Sequence, residues 1–572
     1  MVRLLTTLFV LGITSVVAQT GGAGAGTAQV QPDTSINHQE VDRLYLLGKV
    51  WGLLKYHHPA ITRDKYDWDK ELIGFLPGYR PTGKRSSHDS LLAWVNRLGP
   101  IEACDTCMDH RPGNVALQGE VSWIGRSGFP KALRQQLIAI RQQRVRGNQH
   151  YVRFITEDDI HVAAFDHENA YGSMSYPSVA YRLLALFRYW NIIEYYYPYK
   201  YDLGQSWDTV LKQFIPQFVA ARNANEYAAV VRQLIATIHD SHAVVQARII
   251  TEEQGSYVMP IWLKFIEGKA VVIDRTLDSL ASLSGIRRGD IIDSIDGVSV
   301  TQLVARNRPL ISASNDASYL NLLRYSLIRS RQDRSVLVVE RGGTQLSLTT
   351  YNQYTRTSPN MRPGTFEYER DSVLCRINDS IGYVNLGNFQ RKDSTRLRAL
   401  VSSVHSLIID NRQYPKAMSA GDLIAACIFS RAAAPFVKFS SPDPDCPGRF
   451  LYSKPTNMGA AGTEVRVPGK IAILVNEETQ SSTEFQAMLF RKAQGAVLIG
   501  TPTAGADGNV ALINLPGNIY TYISGLGVYY PDGRETQRVG LQPDIVVRTS
   551  IQALRDNRDE LLERAVRYVG GD

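Results

Sequence analysis

The sequence has little of what would mark a metal centre, a redox centre or a membrane protein. Five cysteines are spread over 572 residues: Cys104, Cys107, Cys375, Cys427 and Cys446. Cys104-Asp-Thr-Cys107 has redox-motif spacing, but no second pair completes a zinc site and no thioredoxin-like pattern surrounds it. A local disulfide or two idle thiols is the reading for this pair, and the odd count leaves at least one thiol over. The histidines show no HExxH-type spacing, so neither a metal nor another cofactor is expected. Beyond the first residues no apolar run approaches transmembrane length, which argues against stable membrane insertion. There is also no basic block interleaved with aromatics. The net charge of +8 comes from Lys and Arg scattered among nearly as many acids, which argues against nucleic acid as a partner.

What is present is globular: 44% hydrophobic and 21% charged residues, enough for three or four domains. Met1-Val-Arg3 carries one positive charge, Leu4 to Val17 is almost free of polar side chains, and Val16-Val17-Ala18 has the small residues that a signal peptidase reads. Residues 1–18 are therefore expected to be a cleavable signal peptide and the protein to be exported, periplasmic or secreted. No Cys stands at the cleavage site to take a lipid. Residues 19–37, rich in Gly, Ala, Thr and Gln, read as a flexible leader.

A helical region then appears twice, over 38–165 and 166–250. The first copy reads RLYLLGKVWGLLKYHHP and later YDWDKEL; the second reads RLLALFRYWNIIEYYYP and later QSWDTVL. Trp51, Pro59 and Trp68-Asp69 correspond to Trp190, Pro198 and Trp207-Asp208 at one offset of 139. Apolar residues at three-and-four spacing make both copies core-facing helices. The second copy ends in Asp240-Ser241-His242 and the first in Ala103-Cys104-Asp105-Thr106-Cys107, so only the second is chemically equipped.

From about residue 250 the pattern turns strand-like. Ser284-Gly-Ile-Arg-Arg-Gly289-Asp290-Ile-Ile292, followed by Ile295-Asp296-Gly297-Val298, resembles the PDZ domain of bacterial proteases over 251–352, with Asp296-Gly297 as a hairpin signal. The resemblance implies a module that takes a chain terminus as an added strand. After Thr350 apolar runs alternate with helical segments (Ile381–Leu386, Leu407–Asp410, Ile471–Val475, Ala496–Gly500), the mark of an α/β core over 353–572.

Ile471–Val475 leads into Asn476-Glu-Glu-Thr-Gln480-Ser481-Ser482-Thr483-Glu484-Phe485. A serine at such a turn sits where a helix N-terminus offers amides and a positive dipole end to an oxyanion. The same residues also suit a plain capping box, Ser481 or Ser482 with Glu484. The wider pattern separates the two. This string, with Gly500-Thr-Pro-Thr503-Ala-Gly505, Leu407-Ile-Ile-Asp410-Asn-Arg412 and Val539-Gly-Leu-Gln-Pro543-Asp544, resembles the family of carboxy-terminal processing proteases, the tricorn core protease and the retinoid-binding modules of interphotoreceptor protein.

The resemblance implies an α+β multidomain protein with a ClpP/crotonase-like serine peptidase core and Ser481 as nucleophile. Processing proteases carry their lysine base where Ala506 stands here, so the tricorn-like variant is the one implied, with His242 of the Ser241-His242 pair as base and Asp240 either orienting it or simply capping a turn. Its acid position is occupied by Gln537; Glu535, two residues earlier and on the same side of an extended strand, is expected to take that role, with Ser241 hydrogen-bonded to it. The Ser482 amide would be one oxyanion donor. Pro415 stands where the family's donor glycine is expected and has no N–H, which shifts the second donor to a neighbour such as Tyr414. The function implied is an exported serine endopeptidase acting on peptides or on unfolded or tail-exposed proteins. The alternatives are a non-catalytic peptide or apolar-ligand binder on the same scaffold, and an esterase using the same serine.

Overall fold

The computed structural model describes residues 36–79, 86–101, 114–276, 278–355, 373–417, 419–429, 434–457 and 467–571. The expected signal peptide and Cys104-Asp-Thr-Cys107 lie outside the described residues. No disulfide links Cys375, Cys427 and Cys446 to one another. No described helix is long and apolar enough to cross a membrane.

The two helical units pack through their long helices, His38–His57 and Val179–Tyr196. Their contacts repeat the offset found in the motifs. Trp51 Nε1 donates to the Trp68 carbonyl and Trp68 Nε1 back to the Trp51 carbonyl, at 3.2 and 3.0 Å; Trp190 and Trp207 exchange the same bonds at 2.7 and 2.9 Å. Each pair ties a long helix to the next one, Trp68–Phe75 or Trp207–Ala220. A buried indole N–H needs such an acceptor.

The helices meet at equivalent positions. A Cβ on Gly48 would come within 2.7 Å of the Phe187 ring, and one on Gly52 within 1.8 Å of the Asn191 side chain, each pair separated by the same 139 residues. Two ion pairs cross between the units at equivalent positions as well: Lys49 with Asp208, and Arg188 with Asp69, both at 2.5 Å. These contacts thus fall at positions 139 residues apart in the chain. Glu168 joins Arg188 and Lys55 at 2.7 and 2.6 Å, which compensates the buried charges at the centre.

The next domain is an antiparallel sheet ordered Thr344–Tyr351, Arg334–Arg341, Ile291–Ile295, Lys269–Arg275, Ile261–Ile266, with the helices Asp278–Ser284, Val300–Asn307 and Asp316–Leu327. The Asp296-Gly297 hairpin forms as its residues require, with φ of 49° and 79°, and joins Ile295 to Val298. The C-terminal domain is a mixed sheet in which Ile381–Asn385, Ser406–Asp410, Ile471–Val475, Ala496–Gly500 and Ile545–Val546 run parallel, with Leu374–Arg376 antiparallel at one edge. Its central strands are buried at every position and, apart from Ser406 and Asp410 at the ends of one of them, apolar, as a sheet covered by helices demands. One face packs the helices Ser394–Val401, Ala420–Ile428 and Ser482–Phe490; the other packs the helix Glu560–Gly570.

Two buried polar features shape the carboxyl ends of these strands, where an open α/β sheet places its chemistry. Asp410 accepts from Arg412 Nε at 2.8 Å and Nη2 at 2.5 Å and from Tyr383 Oη at 2.7 Å, and Arg412 continues to Asp559 at 2.9 Å. Burial opposes the charge on Asp410, but the Arg412 guanidinium holds its carboxyl below the usual range. Beside it, Asn411 Nδ2 donates to the Thr483 carbonyl at 2.7 Å and the Asn411 carbonyl accepts from Thr479 Oγ1 at 3.0 Å.

The helix crossing yields a direct expectation. Gly52→Val should destabilise the protein by roughly 2 kcal/mol or more through overpacking against Asn191, seen as a lowered midpoint of thermal unfolding. A surface change such as Arg558→Lys should leave the midpoint unchanged.

Candidate active site

Ser481 stands at the turn between Ile471–Val475 and the helix Ser482–Phe490, with φ 57° and ψ −122°. This left-handed conformation costs a serine about 1–3 kcal/mol and persists only where the surroundings impose it. Here they do so through one carboxylate. Glu484, fully buried, accepts from the amides of Ser481 (3.2 Å), Gly505 (2.9 Å) and Ala506 (3.0 Å) and from the hydroxyl of Thr503. The Ser481 amide also reaches the Ala506 carbonyl at 2.8 Å. Gly505 has φ +67°, and a Cβ there would lie 2.9 Å from the Arg538 backbone, so this close approach requires glycine. The Glu484 side chain that a capping box predicts is thus present, but it also reaches across to the loop 503–506.

Ser482 opens the helix, and its amide makes no hydrogen bond within the described residues, as expected of a first-turn N–H. It is the donor that the sequence assigned to an oxyanion. Tyr414 lies on the loop that Asn411 fastens to the nucleophile turn, and the Pro415 ring beside it is buried.

His242 follows the last helix of the second helical unit and is 6% exposed. Its Nδ1 lies 2.9 Å from Ser524 Oγ and 3.6 Å from Asp240 Oδ1. Its Nε2 is buried with no hydrogen-bond partner, so no bond joins it to Ser481. Asp240, fully buried, accepts from the His242 amide at 3.0 Å and from the Ser524 amide at 2.7 Å. Burial works against its charge, yet the His242 side chain and these two amides hold it below the usual aspartate range.

The acid and hydroxyl beside the imidazole are therefore Asp240 and Ser524, where the sequence pointed to Glu535 and Ser241. Glu535 accepts from Tyr201 Oη at 2.7 Å and bridges to Tyr529. The chain does not stay extended after it: Val539 N–H returns to Gln537 O, Gly540 N–H to Thr536 O, and Arg538 has φ 64°. The same-side argument for Glu535 and the position of Gln537 holds only on an extended strand, and Gln537 itself is buried. Ser241 exchanges hydrogen bonds with Ser314, amide to hydroxyl in both directions at 2.9 Å.

One short stretch of the sheet domain connects the two halves. Ser312 Oγ bonds the Asp240 amide and carbonyl, Ser314 bonds Ser241, and Asn315 Nδ2 and Ser318 Oγ reach the Thr503 and Ala504 carbonyls at 2.9–3.2 Å. The same domain grips the approach to Ser481 from the side. Lys264 pairs with Glu477 at 3.0 Å and Arg324 with Glu478 at 3.1 Å, and a cavity of about 640 Å³ opens beside these pairs. Sequence reasoning missed Ser524, Asp507 and this bridge; none carries a local motif. No cluster of three or more His, Cys, Asp or Glu suited to a metal occurs among the described residues.

Residues 380–547, which include Ser481 and its clamp, match the family model of peptidase family S41. The C-terminal domain is a peptidase family S41 domain. The protein is thus a serine-type peptidase, with peptides or proteins as its substrate class. No curated protein matches the chain by sequence. Among solved structures, mature CPAF complexed with lactacystin is 14% identical with a TM-score of 0.54, covering 69% of this chain and 99% of that one. Mature CPAF alone is 15% identical with a TM-score of 0.52, over 69% and 98%. The photosystem II D1 C-terminal processing protease is 16% identical with a TM-score of 0.40, over 68% and 97%. The likeness to CPAF is one of fold.

The S41 domain holds a second buried acid. Asp507 is fully buried, its Oδ2 has no hydrogen-bond partner, and its Oδ1 accepts from the Gly508 amide at 2.6 Å. Burial and then the charge of Glu484 push its carboxyl well above the usual range. Because the folded state binds this proton more tightly than the unfolded chain does, stability falls as pH rises from about 4, the unfolded aspartate value, through the raised folded value. Asp507→Asn should remove that slope: its unfolding midpoint should exceed the parent's at pH 8 and approach it at pH 4, as measured by calorimetry. Glu484→Gln, which turns a donor toward amides that already donate, should lower kcat by about 100-fold or more with a folded protein by circular dichroism.

Proposed function

We propose that the protein is an exported serine endopeptidase that cleaves peptides, or unfolded and tail-exposed proteins, by an acyl-enzyme mechanism on Ser481 and His242. The observation that carries this reading is the unpartnered Nε2 of His242, whose Nδ1 is held by Ser524 and Asp240. A ring held on one nitrogen presents the other as an acceptor, which is the arrangement a general base needs. His242 Nε2 takes the proton of Ser481 as the serine attacks the scissile carbonyl. The Ser482 amide, with a donor from the loop bearing Tyr414, stabilises the oxyanion. His242 then gives the proton to the leaving amine and activates the water that releases the acyl group.

In this mechanism Asp240 keeps the imidazole in one tautomer and offsets its charge when protonated, and Ser524 holds the ring plane. Since Nε2 makes no bond to Ser481, the two halves close on each other when substrate binds, as catalytic contacts often do. In this reading the sheet domain 251–352 acts as a PDZ-like module and brings the substrate tail toward the loop 476–480 through its edge strand Ile261–Ile266.

An active-serine phosphonate probe should label the protein, and Ser481→Ala should abolish labelling and casein turnover. His242→Gln should lower kcat/KM by about 10⁴-fold or more, and Asp240→Asn by about 10²- to 10⁴-fold, whereas Glu535→Gln should stay within about threefold of the parent. Absence of labelling on pure folded protein would replace the enzyme by a peptide binder. Turnover of a nitrophenyl ester without casein would point to an esterase.

A further inference from the structure

A cavity of about 720 Å³ is lined by residues 243–247, the segment that follows His242 in the chain. Its floor is the segment 243–247, which continues directly from His242 and bridges through Gln246 to Tyr520 at 2.8 and 3.0 Å. Its walls are apolar at Val245, Ile250 and Leu322, and basic at Arg232, Arg248 and Arg329; no aspartate or glutamate lines it.

The three arginines are not equivalent. Arg248 is exposed and pairs with Glu252 at 2.6 Å. Arg329 donates to the Gly255 carbonyl at 2.8 Å. Arg232 is 7% exposed, makes no hydrogen bond within the described residues, and has the Glu253 carboxylate at 3.8 Å, beyond hydrogen-bond reach. Burial lowers its guanidinium pKa, and Glu253 opposes this only in part. A largely buried guanidinium whose donors the protein leaves unused is open to a group from outside, and the planar donor set matches a carboxylate.

We infer that this cavity is a substrate subsite in which Arg232 binds a carboxylate borne on an otherwise apolar stretch of the peptide. The inference rests on the reading of His242 as the base: a chain running along 243–247 advances about 3.3 Å per residue, so the carboxylate belongs to a residue within a few positions of the scissile bond. An internal Asp or Glu side chain and a free chain terminus supply the same chemistry.

The test is a set of matched peptides with Glu or Gln near the cleaved bond, and with a free or amidated C-terminus. The parent enzyme should cleave an acidic member about 10- to 100-fold better in kcat/KM than its neutral match. If the Glu/Gln pair carries the difference, the source is a side chain; if the acid/amide pair does, it is the terminus. Arg232→Gln should erase the preference, and Arg232→Lys should keep part of it. Equal rates for all four peptides, or a preference that survives in Arg232→Gln, would overturn the assignment. Should no peptide be turned over in a Ser481-dependent way, the peptidase assignment of Ser481 and His242 is what fails. The subsite is then judged by fluorescence anisotropy on Ser481→Ala protein, where acidic peptides should bind at least 10-fold tighter than neutral ones and lose that advantage in the Arg232→Gln double variant. Equal binding overturns it.

Discussion

The site depends on how one buried carboxylate is satisfied. Asp240 is fully buried and, among the described residues, has no lysine or arginine paired with it, so its carboxylate draws amides from two parts of the chain, His242 in its own turn and Ser524 from the hairpin Val510–Ser524, while Ser312 of the sheet domain fixes its backbone. A buried anion satisfied by distant donors holds those donors in register, because losing any one leaves the charge partly bare. The same constraint that keeps Asp240 ionised aims the His242 ring, so the Asp-Ser-His triplet belongs to a helical unit but is held against the C-terminal domain through Ser524.

Ser481 is held by a comparable device. Glu484 collects three amides and a hydroxyl with no cation nearby, and Asp507 lies buried within reach of its field. Amides that converge on a carboxylate cannot relax without leaving it unsatisfied, which is how a left-handed serine is kept in place at a strained turn. The cost is a pair of acids whose ionisation the fold resists. Strain and desolvation are thus concentrated around Ser481 and offset by the wholly apolar strands behind it.

The helical pair contributes through rigidity. Its reciprocal tryptophan bonds and crossed ion pairs make one body of two units, and this body carries His242 and Arg232 on its edge. The imidazole and the guanidinium are therefore positioned by one scaffold, while Ser481 is positioned by another, and the segment 312–318 of the sheet domain spans the two.

Much of this was readable from residues alone. Trp51, Trp68, Trp190 and Trp207 marked core-facing helices because indoles are rarely spent outside a core, and Ile471–Val475 running into Gln480-Ser481-Ser482 declared a strand-to-helix turn because apolar runs and capping residues act locally. Ser524 and Arg232 could not be weighed the same way, and for Asp240 the residues left two roles open, orienting His242 or capping a turn: what each does depends on which groups approach from more than ten residues away, and short-range patterns hold no record of that. Glu535 shows the limit most plainly. Its spacing suited an extended strand, but the backbone turns at Gln537, so the acid that meets the imidazole was chosen by the packing of separate segments and not by distance along the chain.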